Sequence, residues 1–254
     1  MSTFSPSEPR QWNEPLAETR YLRARLAPGI WSDDHAVLLD LAAAIRHFAA
    51  RASGRLFDYG CGGTPYREFF SGCSEYIGAD IVDGPRVDRL LDASGLTAEP
   101  DGAYDTVFSS QVLEHVAAPD QYLAEAFRIL APGGLLILTT HGMYQEHGCP
   151  HDYYRWTPSG LEHAVSKAGF KIEETVKITP GTRASIRLMH LAIETACPRH
   201  SFVARLLMAG VRRIWRWIFR PIANVLAGFF EPRPFIAGDA PEPVYICIGI
   251  VARK

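Results

Sequence analysis

Apolar positions recur along this chain at two periods. Val37, Leu38, Leu41, Ile45 and Phe48 step by three and four, which predicts an amphipathic helix running to Arg51. Ser32 opens it as a capping hydroxyl, and Asp33 and Asp34 complement the helix dipole. Beyond it, short apolar runs alternate with helical stretches. Leu56-Phe57 runs into Asp58 as a first strand, and the turn Asp58-Tyr59-Gly60-Cys61-Gly62-Gly63-Thr64 follows. Pro65 falls at a first helical position with Tyr66, Phe69 and Phe70 on one face, so the turn is expected to face a helix N-terminus. Ser74 to Ala79 reads as a second strand delivering Asp80, and a short third strand is expected near Arg86 to Leu91. Tyr104 to Ser109 is a fourth strand. Pro119 opens a helix with Leu123, Ala126, Phe127 and Leu130 on its core face, ended by Pro132-Gly133-Gly134 before a fifth strand at Leu135 to Thr140. Thr157-Pro158 caps and opens the next helix, which ends at Gly169; Phe170 to Ile178 is a sixth strand and Val244 to Ala252 the last. The alternation of strand and helix predicts an α/β fold.

Two segments lie outside this alternation. Residues 1–31 are proline- and arginine-bearing and read as an arm with one short helix around Pro15 to Leu26, before a main domain over 32–254. A helical insertion over about 181–240 separates the last two strands, with one helix from Ala184 to Cys197 and another from Phe202 to Phe219. Val203, Leu206, Leu207, Val211, Ile214, Trp217 and Ile218 fall near one side of the second. Arg205, Arg212, Arg213, Arg216 and Arg220 lie along it, and no acid occurs between Glu194 and Glu231. Its readings are a lid or dimer face, or an interfacial helix with Trp215 and Trp217 at a phospholipid boundary and Phe229-Phe230 beyond. RNA contact is the third, with no recognised module around it, so nucleic acid is not expected.

Composition narrows the setting. A chain of 254 residues and 28.2 kDa suits one α/β domain with an insertion. A net charge of −2 gives no global attraction to nucleic acid or anionic lipid, so any such partner must meet a local patch. Cysteines 61, 73, 149, 197 and 247 are scattered without a C-x-x-C pair, which excludes a disulfide framework and a zinc ribbon and predicts a reducing cytoplasm. Ser5-Pro6-Ser7-Glu8-Pro9 lacks the apolar core of a signal peptide, and no uncharged run is long enough to span a bilayer. The expected location is cytoplasmic, or peripheral at the inner face of the membrane.

The glycine turn carries the first chemistry. Glycines let a backbone turn sharply and a ligand approach closer than a Cβ allows. Asp58 before the first glycine would repel a pyrophosphate, so a cationic, amine-bearing ligand fits better, and Asp80, about 20 residues on, stands where nucleotide-binding α/β units hold a ribose. This stretch resembles the first two motifs of class I S-adenosylmethionine-dependent methyltransferases, with one departure: the third glycine of the commonest pattern falls on Thr64. The string Asp105, Val107, Val112-Leu113-Glu114-His115-Val116, Leu123, Glu125, Arg128, Leu130, Pro132-Gly133-Gly134 resembles the UbiE-like branch (methyltransferase type 11).

That resemblance implies a Rossmann-like, seven-stranded, mostly parallel sheet with an antiparallel last strand, helices on both faces, and S-adenosylmethionine as cofactor. It implies Asp58, Gly60, Cys61 and Gly62 at the methionine end, Asp80 at the ribose, and Asp92 and Ala93 at the adenine. Ile81, Ser109 and Gln111 complete the expected cofactor positions. Asp92 reads equally well as a turn residue, and Glu114 and His115 read either as catalytic residues or as a helix-initiating turn under the cofactor. The loop His141 to Trp156 is the expected acceptor site, since His151, Asp152, Tyr154, Arg155, Thr157, Gly160 and Leu161 resemble a block that follows strand five in relatives. In it a His151–Asp152 pair would take a hydroxyl proton, with His141, Tyr154 and Arg155 on the acceptor, Arg155 holding a carboxylate, phosphate or sugar oxygen. Alternatively these residues only brace the loop. His147, Cys149 and His151 fit no standard zinc spacing, so no metal is expected.

Function follows as methyl transfer to a hydroxyl oxygen of a small-molecule, sugar or lipid-linked glycan acceptor. C-methylation of a quinone-like metabolite, a noncatalytic cofactor-binding scaffold and a nicotinamide oxidoreductase are the other readings. Expected partners are that acceptor, a membrane surface met by about 202–230, and a second copy of the chain.

Overall fold

The structure, a computed structural model, describes residues 15–92, 94–148, 151–196 and 201–254. Helices α1 (Pro15–Leu26) and α2 (His35–Ala49) precede strand β1 (Arg55–Tyr59), a 3-10 turn at Arg67–Phe70, and strands β2 (Glu75–Asp80), β3 (Arg89–Leu90) and β4 (Tyr104–Ser110). A 3-10 turn at Leu113–His115 leads to α3 (Pro119–Ile129), β5 (Leu130–His141), α4 (Pro158–Lys167) and β6 (Lys171–Pro180). The insertion comprises α5 (Gly181–Thr195), α6 (Phe202–Ile214), a π turn at Trp215–Phe219 and α7 (Arg220–Phe230), before β7 (Phe235–Ala237) and β8 (Tyr245–Arg253).

The sheet order is β3-β2-β1-β4-β5-β8-β6-β7. β1 pairs in parallel with β2 and β4, and β4 with β5, while β8 runs antiparallel between β5 and β6. Strands in the middle of such a sheet are buried on both faces, so their side chains supply two cores in alternation. Leu56, Leu135 and Ile137 meet Val37, Leu41, Ile45 and Phe48 of α2, whereas Phe57, Leu136 and Leu138 meet Leu123 and Ala126 of α3 and Leu161 and Val165 of α4. The chain order reverses between β1 and β4, the switch point at whose carboxyl-end crevice open α/β sheets bind ligands. Packing here is tight: a Cβ at Gly249 would lie 2.7 Å from the fully buried ring of Phe48. Gly249→Ala is expected to destabilise the fold by about 1–3 kcal/mol, read as a lower denaturant midpoint at unchanged slope.

The structure revises several expectations. The sheet has eight strands rather than seven, because the chain leaving the insertion pairs Phe235–Ala237 antiparallel to the free edge of β6. The helix expected from Pro65 is only the four-residue 3-10 turn. Ten residues must return from Thr64 to Glu75 to start a parallel strand, and a 3-10 turn advances about 2.0 Å per residue against about 1.5 Å for an α-helix. Tyr66 and Phe70 are nonetheless buried, with the Phe70 ring 4.7 Å from that of Phe108. α2 starts at His35, and Ser32 Oγ accepts from the Asp34 N–H instead of capping the helix interior. Pro132-Gly133-Gly134 does not separate helix from strand: β5 begins at Leu130, opposite Tyr104, and the register shifts before Leu135 pairs with Thr106.

Candidate active site

At the carboxyl end of β1 the chain folds over β2, the Gly60 and Cys61 N–H groups both donating to Ala79 O at 2.8 and 2.9 Å. Gly60 has φ +86°, and a Cβ there would lie 2.4 Å from Val112 Cγ2, so no other residue fits. Thr64, at the third-glycine position of the related pattern, adopts φ 47°, the left-handed conformation a glycine would take. It is held there by its N–H on Cys61 O at 2.8 Å and by Arg86, which donates to its hydroxyl at 3.2 Å. The departure visible in the sequence therefore leaves the turn's shape intact.

Asp80 ties the turn to β2. Its Oδ2 accepts from the Gly62 N–H at 2.7 Å and its Oδ1 from the Val82 N–H at 3.0 Å, leaving further lone pairs at the crevice beside the exposed Ile81. Asp58 is buried and accepts from the Tyr76 hydroxyl; burial pushes its carboxyl up to about 7, against the opposing effect of that hydrogen bond. It thus stands beneath the turn rather than open to a ligand. Burial likewise raises the Cys61 thiol, which donates to Gly62 O, so it is a packing thiol and no nucleophile. Asp92 Oδ1 accepts from both Ser94 N–H and Ser94 Oγ, the turn-residue role, and Ala93 lies outside the described residues. Ser109 is buried, its hydroxyl 2.8 Å from Tyr122 Oη, which donates to Tyr59 O, so it supports the turn from below and does not face a ligand. Gln111 has φ 58° and donates to Thr139 Oγ1.

A second cluster stands where β4 and β5 end. Ser110 pairs with Thr139, so the residues that follow each strand lie side by side. Glu114 is completely buried: Thr140 Oγ1 donates to its Oε2 at 2.8 Å, and its Oε1 lies 3.0 Å from His141 Nδ1, off the hydrogen-bonding direction, and 3.9 Å from His115 Nε2. Burial works against its charge, but His141 and Thr140 outweigh it and hold the carboxyl below the usual glutamate value. The His147 ring stacks on that of His141 at 4.8 Å and meets that of His115 edge-on at 4.9 Å. His115 Nδ1 donates to His151 O at 2.6 Å and His147 Nδ1 to Gln145 O at 3.2 Å. Both imidazoles therefore keep Nε2 as the lone-pair nitrogen when neutral. Burial and the neighbouring His141 and His115 lower the His147 pKa.

The pairing expected in the loop does not form. Asp152 accepts from Arg155 Nη1 at 2.5 Å and from the His147 N–H at 2.8 Å, and Arg155 holds its carboxyl far below the usual range. His151 is exposed, its ring against Tyr153. Arg155 also donates to the carbonyls of Tyr144, Gln145 and Tyr154, so its guanidinium braces the loop instead of presenting a free fork to an anion. Tyr154 is exposed and donates to Ala117 O, and His141 is buried against Glu114. Sequence reading missed His147 as a member of the site. Its signal was the six-residue spacing from His141 in a loop that must fold back on itself. Glu114, His115 and His147 can bring one ligand atom each within 4.8 Å, in place of the His147–Cys149–His151 set considered from the sequence; Cys149 lies outside the described residues.

The turn fits S-adenosylmethionine. Its backbone closes to within the reach of a missing Cβ, Asp80 is anchored with lone pairs to offer a diol, and Ile81 presents an apolar surface beside it. Similar proteins agree. A ubiquinone biosynthesis O-methyltransferase from Roseobacter denitrificans is 29% identical over 137 residues, 44% of this chain and 53% of the relative. One of the same description from Burkholderia thailandensis is 29% identical over 157 residues, 49% of this chain and 68% of the relative. The chain thus spans between about half and two thirds of these relatives. A solved S-adenosylmethionine-dependent methyltransferase from Thermotoga maritima shares the fold with a TM-score of 0.50 at 15% identity, covering 85% of this chain and 88% of that one. Residues 31–175, more than half of the chain, match the model of the methyltransferase-domain family, and the protein belongs to that family as an S-adenosylmethionine-dependent enzyme.

Proposed function

We propose that the enzyme methylates a hydroxyl oxygen of a small-molecule or lipid-linked acceptor, with His147 taking the hydroxyl proton. The observation that carries this reading is the cluster of three imidazoles over the buried Glu114 at the carboxyl end of β4 and β5. The printed activity of the two relatives, O-methylation, favours the same atom. Bound S-adenosylmethionine supplies a methyl group activated on a sulfonium. The acceptor's hydroxyl oxygen would take that methyl group, and His147 Nε2 would take the hydroxyl proton. A depressed pKa keeps His147 neutral and able to accept at neutral pH. The Asp152 carboxylate, 3.3 Å from His147 Nδ1, favours the imidazolium that results and, locked by Arg155, also holds the His147 backbone in place. Tyr154 and the exposed His151 form the outer rim for the acceptor. Gly60 and Gly62 would hold the methionine end of the cofactor, with Asp58 and Cys61 supporting the turn, Asp80 and Ile81 would hold the ribose, and the Asp92 turn the adenine side.

The test is a panel of phenols, sugars and lipid-linked glycans incubated with methyl-13C S-adenosylmethionine. A methoxyl product supports the reading; label in a ring C-methyl group overturns it in favour of carbon methylation. Asp80→Ala is expected to weaken S-adenosylhomocysteine binding about 10- to 100-fold by calorimetry, from the loss of charge-assisted hydrogen bonds at about 1.5–3 kcal/mol. Affinity within threefold of wild type would remove Asp80 from the ribose site.

A further inference from the structure

The 29 residues from Phe202 to Phe230 form one unbroken helical rod through α6, the π turn and α7, roughly 40 Å long. Its inner side is tied to the protein from Arg212 onward. His190 Nε2 lies 3.0 Å from Asn224 Oδ1, Asn224 donates to Ile30 O and Ser32 O at 2.8 and 3.0 Å, and Arg220 donates to Trp31 O at 3.1 Å. Glu194 accepts from Arg216 and Arg220, and Arg212 donates to Glu194 O and Ala196 O. This network fixes the end of α6, the π turn and α7 on α5 and on the chain before α2.

The outer side has no partner within the chain. None of the α6 residues is buried, and α7 buries only Arg220, Pro221, Asn224 and Ala227. Leu207, Ile214, Trp217, Ile222, Val225 and Phe229 stand outward, Trp217 at 69% exposure and Phe229 at 77%. Rows of large apolar side chains of this length are rare on a monomer's surface unless something covers them. The charges on the face are of one sign. Arg205 and Arg213 are exposed and in no ion pair among the described residues, and the segment contains no acid.

We infer that this face docks on an anionic phospholipid surface, with the apolar row in the interface and Arg205 and Arg213 on the headgroups. The charge pattern selects this occupant. A second copy in a two-fold contact would set like arginines against one another, at a cost, whereas phosphate headgroups accept them. Five arginines along the rod exclude insertion across the bilayer, and no described helix is long and apolar enough to cross one. The helix therefore lies on the membrane, as amphipathic helices with arginine and tryptophan do.

Co-sedimentation of the full chain with vesicles of phosphatidylcholine alone, and of phosphatidylcholine mixed with phosphatidylglycerol, tests this. Wild type is expected to sediment with the anionic vesicles only. The double variant Arg205→Glu, Arg213→Glu is expected to bind them at least tenfold more weakly, at about 1 kcal/mol per cation, or fivefold each. Trp217→Ser with Phe229→Ser should weaken binding to the same vesicles at any salt concentration. Unchanged S-adenosylhomocysteine affinity certifies folding of each variant. Three outcomes overturn the inference: no sedimentation of folded wild type, equal binding by the charge-reversed variant, or a stable dimer by light scattering that Trp217→Ser with Phe229→Ser dissolves. The last would assign the face to a second copy.

Discussion

His147→Ala is expected to lower kcat about 10²- to 10⁴-fold, the usual contribution of a positioned general base, while leaving S-adenosylhomocysteine affinity within twofold of wild type. The separation follows from position. His147 lies with His115 and His141 at the carboxyl ends of β4 and β5, whereas the glycine turn and Asp80 lie at the ends of β1 and β2. The pH profile supplies a readout that a merely structural role would not move. Neutral His147 is the working form, and burial together with His141 and His115 depresses its pKa below 6.5. Wild-type kcat should therefore rise with pH through that depressed value and be flat above about 6.5. The residual rate of the alanine variant should lack that limb. A kcat that still climbs between pH 7 and 9 would assign the proton to another group.

Glu114→Ala is expected to destabilise the fold by about 1–3 kcal/mol, the cost of leaving a buried hydrogen-bonding group without its partner. The carboxylate is completely buried, and its loss leaves the Thr140 hydroxyl without an acceptor and a gap beside the His141 ring. The loop's own anchor is untouched, since Tyr153 and Tyr154 donate their N–H groups to the backbone carbonyl of Glu114, which alanine keeps. Glu114→Gln, which keeps the shape and an acceptor for Thr140, separates charge from packing. The folded-state pKa is lowered, so the stabilisation from ionised Glu114 is fully present above its ordinary value of 4.5 and is lost as pH falls through the depressed one. Chemical denaturation at pH 7 and at pH 4 and below should show the gap between wild type and the glutamine variant narrowing on acidification. A gap independent of pH would mean that Glu114 is protonated in the folded state.

Much of the fold is legible in the order of residues because period and punctuation are local. The apolar runs of β1, β4, β5 and β8 and the three-and-four spacing of α2 and α3 show which segments are strand and which are helix, and a glycine turn after β1 followed by an acid after β2 shows where a nucleoside is held. The four 3-10 residues in place of the helix after Pro65 were not legible, since the return distance to β2 exists only once β1 and β2 are parallel neighbours. The same holds for β7, which needs the open edge of β6.

The chemistry divides in the same way. The residues Glu114, His115, His141 and His147 are plain in the chain, but 33 positions separate the first from the last, and only the register of β4 on β5, Ser110 against Thr139, sets them together. His151 and Asp152 are neighbours in sequence and part in space, because Arg155 and the His147 N–H claim the carboxylate while the His151 ring lies exposed against Tyr153. The sequence by itself determined most of the element types, the cofactor turn and the arginine-bearing apolar helix. Which polar groups meet, and which apolar face stays bare, the tertiary structure decided, because burial and charge pairing belong to neighbours in space and periodicity reports only neighbours along the chain.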